Sequence, residues 1–389
     1  MRILHSIRSV NPEGGGVIEA VKQVSRIHQE NGHEVEVVSL DSPDDDWVHE
    51  FPFKLKVMGP AQGKFGFTGE LLPWLRTHIA AYDAIIVNGI WQYNSYGIWL
   101  AFRHAQTPYY VFPHGMLDPW FRRTYPLKHL KKWLYWPWAD YRVLRDARAT
   151  VFTSEEERQL ARESFWLYRC REMVVPLGIA EPGGDSEAQK VIFLDRFPGL
   201  RGKRFVLFLG RIHKKKGCEM LIKAFAKFIQ APEEAMTSQV ELVMAGPDQA
   251  GWLAELQNLA TDLGIAKSVT WTGMLSGDVK LGALRAAEVF ILPSHQENFG
   301  IAVAESLACS VPVLISNKVN IWREIAEDNA GLVENDDETG TFQLIKRWFS
   351  LPQSARQACR DHARECFASR FEIKRTAGAL INLFRESQP

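Results

Sequence analysis

The sequence has few cysteines, no long apolar run and no net charge, and each absence excludes a class of protein. The five cysteines of this 389-residue chain form no Cys-x-x-Cys pair, which argues against a zinc site or a disulfide framework and predicts a reducing, cytoplasmic location. No apolar run reaches the roughly 18 residues that a transmembrane helix requires, and no signal-peptide pattern precedes the first strand. Lys plus Arg and Asp plus Glu both number 46, so no overall field attracts nucleic acid.

Two successive α/β patterns occupy the chain, whose length by itself favours two domains. The first pattern opens with an apolar strand at 2–7, a glycine loop at 14–16, an amphipathic helical spacing and a second strand at 35–40. Strand, helix and strand in this order form a βαβ unit, which predicts a parallel sheet. The second pattern begins with an apolar strand at 205–209 and repeats the same alternation.

The predicted fold class is therefore α/β, with two Rossmann-like domains whose parallel sheets face each other across a cleft. The N-terminal domain is predicted over residues 1–180 and the C-terminal domain over residues 204–368. Residues 181–203, which include Pro182-Gly183-Gly184, are predicted to be a linker. An apolar stripe within 369–389 predicts a final helix that packs back toward the N-terminal domain. Ligands of such sheets bind beyond the carboxyl ends of the strands.

Two carboxylates accompany a predicted helix start in the second half. A strand ends at Pro293, Glu297 follows in the loop, and the helix begins near Phe299 or Gly300. The unpaired N–H groups of a first helical turn suit a phosphate. Because carboxylates repel a phosphate, Glu297 and Glu305 would instead accept hydrogen bonds from pairs of sugar or ribose hydroxyls. The alternative is that both are ordinary acidic residues of a helix.

A short basic loop follows the strand that ends at Leu209. It contains Arg211 and Lys216, which would hold a diphosphate from two sides. An arginine binds such a group with a bidentate fork, whereas a lysine acts as a point charge. The neighbouring Lys214 and Lys215 are typical of a solvated loop.

Taken together, these motifs resemble those of the retaining glycosyltransferases with the GT-B fold. More specifically, the chain resembles family 4 in the classification of glycosyltransferases, the large bacterial group that includes exopolysaccharide and glycan transferases. It covers nearly the whole chain and depends on these segments: Gly14-Gly15-Gly16, His114-Gly115-Met116-Leu117, Val175-Pro176-Leu177-Gly178, Gly210-Arg211 to Lys216-Gly217, and Glu297 with Glu305. Leu177 stands where family members often carry Asn.

The resemblance implies catalytic roles for four residues. Glu297 would bind hydroxyls of the donor sugar, and Arg211 and Lys216 would neutralise the leaving diphosphate. His114 would lie near the reacting sugar, without acting as a general base. Retaining enzymes of this fold lack an obvious protein nucleophile, so catalysis would consist mainly of placement and of charge stabilisation on the leaving group.

The resemblance also implies a set of donor-binding positions. The glycines of the first loop would let the backbone approach the phosphates because no Cβ intervenes. Glu305 would bind the ribose, and the segment that follows the strand at 269–271 would contact the base of the nucleotide. The implied donor-binding residues are Gly15, Gly16, Gly273, Met274, Phe299, Gly300, Ile301 and Glu305.

The implied reaction is the transfer of a hexose from a nucleotide diphosphate sugar, with UDP-glucose as the favoured donor. The acceptor would be a saccharide or a lipid-linked saccharide in exopolysaccharide or glycan synthesis. The run Asp44-Asp45-Asp46 matches the D-x-D pattern of metal-dependent transferases of another fold but lacks the rest of it, so no metal is expected. A two-domain sugar-nucleotide epimerase and a catalytically inactive sugar-nucleotide-binding protein are the alternative interpretations.

Basic and aromatic residues alternate in the segment 120–138. Such segments lie on anionic membranes in some proteins, and a transferase with a lipid-linked acceptor needs such a surface. The enzyme would then be cytoplasmic and peripheral at the inner face of the membrane. The alternative is a pair of amphipathic helices that pack their aromatic side chains into the N-terminal core. Binding of nucleic acid fits poorly with the zero net charge of the chain.

Overall fold

The computed structural model describes residues 1–103, 107–124, 126–231, 240–249 and 251–386. The chain divides into two compact units. The first unit comprises Met1–Ala180 together with Glu372–Pro389, and the second comprises Glu181–Phe371. Each unit contains one parallel sheet with helices along the chain between its strands, so both have the Rossmann-like α/β architecture.

The sheet of the first unit has seven parallel strands within the described residues, in the order β3-β2-β1-β4-β5-β6-β7. The strands are β1 Arg2–Ser6, β2 Glu34–Ser39, β3 Lys54–Val57, β4 Ala84–Asn88, β5 Tyr109–Phe112, β6 Ala149–Phe152 and β7 Glu172–Val174. The helices between them are α1 Gly16–Glu30, α2 Asp46–His49, α3 Leu71–His78, α4 Tyr93–Phe102, α5 Trp120–Thr124, α6 Pro126–Tyr135, α7 Asp140–Asp146 and α8 Glu155–Arg162.

The position of a strand in this sheet explains its sequence. Every residue of β4 and β5 is buried, and strands buried on both faces need a continuous apolar run. Strand β3 is at the edge of the sheet, and its Lys54 and Lys56 are exposed while Leu55 and Val57 are half-buried. Charged side chains on an edge strand discourage pairing with other chains.

The sheet of the second unit has six parallel strands in its described part, in the order β10-β9-β8-β11-β12-β13. The strands are β8 Arg204–Leu209, β9 Val240–Ala245, β10 Val269–Gly273, β11 Val289–Leu292, β12 Val313–Ser316 and β13 Gly331–Glu334. The helices of this unit are α9 Ser186–Arg196, α10 Cys218–Ile229, α11 Leu253–Asp262, α12 Gly277–Ala286, α13 Ile301–Ala308, α14 Trp322–Glu327, α15 Glu338–Ser350 and α16 Gln353–Cys366.

The segment predicted as a linker, 181–203, forms α9 and packs within the second unit. Asp185 caps this helix by accepting hydrogen bonds from two backbone N–H groups, and Phe193 is fully buried. Helix α9 lies so close to α12 that a Cβ on Gly282 would come within 2.0 Å of the Gln189 carbonyl oxygen. The apolar spacing of this helix is hard to recognise in the sequence because its buried positions include a glutamine while Val191 and Ile192 are exposed.

The last helix, α17 Ile373–Arg385, belongs to the first unit. Its apolar stripe packs with Val24 of α1 in one cluster, and the His28 imidazole Nε2 donates to the Ala377 carbonyl at 3.1 Å. The backbone N–H of Ile373 donates to the Ile179 carbonyl at 2.9 Å. Among the described helices, none combines the length and the apolar character that crossing a membrane requires.

Candidate functional site

Three strand-end loops of the second unit are joined by backbone hydrogen bonds. The loop after β11 bonds to the loop after β8 through His295 N–H and the Lys215 carbonyl, at 2.9 Å. It bonds to the loop after β12 through Glu297, whose N–H donates to Lys318 and whose carbonyl accepts from Asn320, both at 2.9 Å. The backbone at Glu297 is therefore held on both sides, as expected for a residue that must present its carboxylate at a defined place.

Gly217 allows the first two of these loops to approach each other. Its φ is +70°, and a Cβ at this position would come within 2.2 Å of the Pro293 carbonyl oxygen. Both the left-handed conformation and the close approach require glycine here. The residue directly before it, Lys216, is thereby placed beside the loop that carries Glu297.

The Lys216 ammonium donates a hydrogen bond to Oε2 of Glu297, and both side chains are largely buried, at 15% and 19% exposure. Burial lowers the pKa of the Lys216 ammonium, and the nearby cations of Lys215 and Arg211 act in the same direction. The contact with the Glu297 carboxylate opposes this shift because it favours the charged ammonium. The structure thus joins two predicted site residues into one ion pair.

A second ion pair holds Glu305, which lies in α13. The Lys280 ammonium, from α12, donates to Oε1 of Glu305 at 2.6 Å, with side-chain exposures of 28% and 19%. Sequence analysis did not identify Lys280. It belongs to no motif, and 25 residues separate it from its partner, so only the packing of α12 beside α13 reveals the pair.

Helix α13 begins at Ile301, one or two residues later than predicted, with Gly300 as its N-cap at φ +77°. The preceding Phe299 is buried and packs edge-on against Phe371, with ring centroids 5.7 Å apart. The three predicted backbone positions therefore form the entrance to the helix that carries Glu305. Free N–H groups at such an entrance are suited to an anion.

Arg211 and the predicted base-contacting residues lie on neighbouring loops of the same unit. Arg211 is exposed and donates to the Gln249 side chain at 3.2 Å. Gly273 ends β10 at φ +69°, and its carbonyl accepts from Gly246 at 2.8 Å. Met274 is 72% exposed, so its side chain is open to a ligand.

His114 occupies a strand-end loop of the first unit, after β5. Its imidazole Nε2 bonds to the Asn88 amide oxygen at 3.2 Å. Because that oxygen only accepts, Nε2 carries the proton and Nδ1 is left as an acceptor. Burial lowers the pKa of His114 to about 4, so the imidazole is neutral at physiological pH.

Two residues that sequence analysis missed hold this histidine loop. Asn88 ends β4 and also donates to the Ser6 carbonyl at 3.4 Å, so it connects the ends of neighbouring strands. The buried Glu157 carboxylate accepts from Gly115 N–H at 2.6 Å and from Thr153 N–H at 2.7 Å. A polar residue directly after an apolar strand was a readable signal for Asn88, whereas the contact of Glu157 depends on the fold.

Gly15 and Gly16 also lie in the first unit. Gly15 is the N-cap of α1 at φ +72°, and a Cβ built on it meets no atom within 4 Å. The loop therefore leaves open space beside the start of α1.

In the same unit, Asp45, of the run Asp44-Asp45-Asp46, uses a side-chain oxygen to accept from Ser42 N–H at 2.9 Å. Across the described ranges, no group of three or more His, Cys, Asp and Glu side chains is arranged to hold a metal.

Both halves of the chain match models of glycosyltransferase domains. Residues 15–178 match the model described as "Glycosyl transferase 4-like domain", and residues 194–365 match the one described as "Glycosyl transferases group 1". The two matches together cover most of the chain, which therefore carries the two domains of a glycosyltransferase. The predicted α/β architecture of two Rossmann-like domains is confirmed, and a transferase of this class is the coarse identity that both models support.

Individual relatives agree with this assignment. The chain is 24% identical over 343 residues to a D-inositol 3-phosphate glycosyltransferase of Corynebacterium jeikeium, covering 83% of this chain and 77% of that one. It is 31% identical over 248 residues to the protein of that name from Acidothermus cellulolyticus, covering 62% and 53%. With several curated relatives, the match thus spans only about half of their length.

The fold is also that of HepE from Anabaena, whose structure was solved in complex with UDP-glucose. The TM-score is 0.75, the sequences are 16% identical, and the match covers 99% of this chain and 100% of HepE. At this level of identity the likeness establishes the fold of the chain.

Proposed function

We propose that the protein is a retaining, metal-independent hexosyltransferase that uses UDP-glucose as its donor. The observation that carries the proposal is the partly buried Lys216–Glu297 ion pair beside the start of α13. A cation, a carboxylate and the first turn of a helix in one loop cluster match the three parts of a nucleotide diphosphate sugar: charge, hydroxyls and phosphate. UDP-glucose is favoured because HepE, which shares the fold, binds this molecule.

Donor binding would exchange the partners of this ion pair. In the structure, the ammonium of Lys216 compensates the Glu297 carboxylate. A diphosphate offers the ammonium a stronger anionic partner, which would release the carboxylate to accept hydrogen bonds from sugar hydroxyls. Arg211, exposed on the same loop, would add a bidentate contact to the diphosphate. Glu305 would bind the ribose, and the backbone at Phe299–Ile301 the diphosphate.

The chemical step would then depend on stabilising the leaving group. As the bond between the sugar and the diphosphate breaks, negative charge grows on the diphosphate, and Lys216 and Arg211 oppose that charge. His114 would contact the reacting sugar through Nδ1, which can accept a hydrogen bond from a hydroxyl. With a pKa near 4 it remains uncharged, which agrees with a positioning role and with the absence of a protein nucleophile in the proposal.

A saccharide or lipid-linked saccharide of exopolysaccharide or glycan synthesis is the proposed acceptor. A lipid-linked acceptor would bring the segment 120–138 to a membrane surface. The relatives favour a second candidate, since those proteins are named for D-inositol 3-phosphate. This chain would then transfer its hexose to a phosphorylated cyclitol.

The test is UDP release from UDP-glucose in the presence of EDTA, with a panel of saccharide acceptors and D-inositol 3-phosphate. The proposal predicts acceptor-dependent release, an α-configured product seen by NMR, and a loss of activity in Lys216→Ala. Lys214→Ala, in the same loop, is the control and should retain activity. Conversion of UDP-glucose to an epimer without an acceptor would instead establish an epimerase. Donor binding without turnover on any acceptor would indicate an inactive binding protein.

A further inference from the structure

Exposed apolar side chains concentrate in one region of the first unit. Of the eleven large hydrophobic side chains that are exposed in the described part of the chain, six lie between residues 127 and 166. We name them the Leu/Trp face: Leu127, Leu130, Trp133, Leu134, Trp138 and Trp166, with exposures of 79%, 54%, 41%, 61%, 67% and 65%. Exposed apolar side chains gathered in one region are a mark of interaction sites, whereas single exposed ones are ordinary.

Helix α6 contributes most of this face, and its orientation is the reverse of that of an ordinary surface helix. Leu127, Leu130 and Leu134 follow the spacing of one helical stripe, and this stripe is exposed. The side toward the body of the unit carries His129, stacked on Phe165 at 4.9 Å. A surface helix that contacts only water and the core of its unit would bury its leucines against that core.

Lys132 lies on the inward side of the same helix. Its ammonium is 4.5 Å from the centroid of the Trp91 ring, and burial lowers the pKa of this lysine, which the nearby Asp140 carboxylate counteracts. The contact satisfies a cation inside the unit by a cation–π interaction. The reversed orientation of α6 is thus supported by specific contacts on its polar side.

The end of α6 is fixed to the core by one tryptophan. Trp136 is fully buried, stacks on Phe165 with ring centroids 4.3 Å apart, and donates its indole N–H to the Leu167 carbonyl. Trp133 instead lies near Trp166, at 6.1 Å between ring centroids. The segment 120–138 therefore places some of its aromatic side chains in the core and others at the surface. The two interpretations of its sequence, a membrane-binding segment and a pair of helices packed into the core, each describe part of it. Tyr125 and the side chain of Arg123 lie outside the described residues.

The charge of the segment that carries most of the Leu/Trp face is of one sign. The sequence between residues 119 and 139 contains five lysines and arginines and no aspartate or glutamate, although the whole chain has zero net charge. Among these cations, Arg122, Lys128 and Lys131 are exposed. Leucines for the acyl region, tryptophans for the interface and lysines for anionic headgroups are the three components of a helix that lies in a bilayer surface.

We propose that the Leu/Trp face is a docking surface for an anionic lipid bilayer, with α6 lying parallel to the membrane and its leucine stripe turned toward the acyl chains. The surrounding positive charge selects a membrane over a second copy of this chain, because two copies would bring the same cations together. The proposal concerns a surface outside the donor site, so it stands or fails separately from the transfer reaction.

Co-sedimentation of the full chain with vesicles tests the proposal. Vesicles of phosphatidylcholine with 30% phosphatidylglycerol should bind the protein, and binding should weaken in high salt and with phosphatidylcholine alone. Lys128→Gln with Lys131→Gln should reduce affinity about 30-fold, from the usual contribution of a lysine near such a surface. Leu130→Ser with Leu134→Ser should reduce it at least about tenfold.

The matched control is Val191→Ser with Ile192→Ser, an exposed apolar pair on α9 with exposures of 55% and 42%. This variant should sediment like the unchanged chain. Thermal unfolding of every variant must remain cooperative with an unchanged midpoint, which separates lost docking from lost folding. Equal sedimentation with charged and neutral vesicles, or a dimer in solution that the leucine variant abolishes while vesicles bind nothing, would overturn the proposal.

Discussion

The two units share an architecture but differ in the chemistry of their strand-end loops. In the first unit, the buried, neutral His114 of the loop after β5 bonds to Asn88, which also contacts the buried His5 of β1. In the second unit, Lys216 and Glu297 of two such loops form a partly buried ion pair, and Lys280 of α12 pairs with Glu305 of α13. The same type of parallel sheet therefore supports either a neutral histidine site or an ion-pair site. The residues that follow the strands determine which of the two a unit contains.

This difference follows from what burial costs. An imidazole can be buried without charge by losing its proton, as the lowered pKa values of the first unit show. A lysine or glutamate keeps its charge only with a partner at hydrogen-bond distance. The second unit therefore keeps ionised groups ready in pairs, and a ligand that carries its own charge can replace one member of a pair.

The largest expected effect tests the charged side of this comparison. Lys216→Ala and Glu297→Gln should each lower kcat/KM about 100-fold to 1,000-fold, because each removes a group that binds the donor where charge develops. Steady-state UDP release measures the loss. Lys214→Ala is the matched control. Near-normal turnover by Lys216→Ala would show that the ion pair has no role in the mechanism.

A smaller effect is expected at the second ion pair. Lys280→Met should raise the KM for UDP-glucose about tenfold with little change in kcat, because it leaves the partly buried Glu305 carboxylate without the cation that holds its orientation. Lys280→Arg should restore most of the affinity.

The control for this pair is Lys223→Met, which breaks a similar lysine–glutamate contact with Glu219 on the surface of α10. That variant should leave both constants unchanged, since exposed pairs contribute little. A fall in kcat with constant KM for Lys280→Met would contradict a binding role for Glu305.

The smallest effect concerns the neutral histidines of the first unit. Burial lowers the pKa of His5 to about 3 and of His28 and His114 to about 4, below the ordinary value near 6.5. The folded state therefore binds fewer protons than the unfolded state. The stability that these groups supply is complete above pH 6.5 and is lost as the pH falls toward 4.

Thermal unfolding between pH 7.5 and 4.5 checks this linkage. His28→Gln keeps a donor for the Ala377 carbonyl but cannot titrate, so its midpoint should fall by a few degrees less than that of the unchanged chain. His49→Gln, at an exposed position on α2, is the control. Identical pH profiles for His28→Gln and the unchanged chain would show that His28 does not contribute.

The sheets and the motif loops could be predicted from the sequence because fully buried parallel strands are continuous apolar runs and the motif residues follow them directly. Sequence analysis missed α9, whose pattern is blurred by the buried Gln189 and the exposed Val191. It also missed Lys280 and Glu157, since their contacts join residues 25 and 42 positions apart. Amphipathic helices were one interpretation of the segment 120–138, but only packing shows which face of α6 is outward.

The most direct test is thermal unfolding of the purified protein with a panel of nucleotide sugars in EDTA, beside Glu297→Ala. A ligand at about 100 times its dissociation constant adds ~2.7 kcal/mol to stability, which shifts a midpoint by a few degrees. The account predicts this shift with UDP-glucose and a much smaller one in the variant. No shift with any nucleotide sugar, while the protein still unfolds cooperatively, would contradict the proposed donor site.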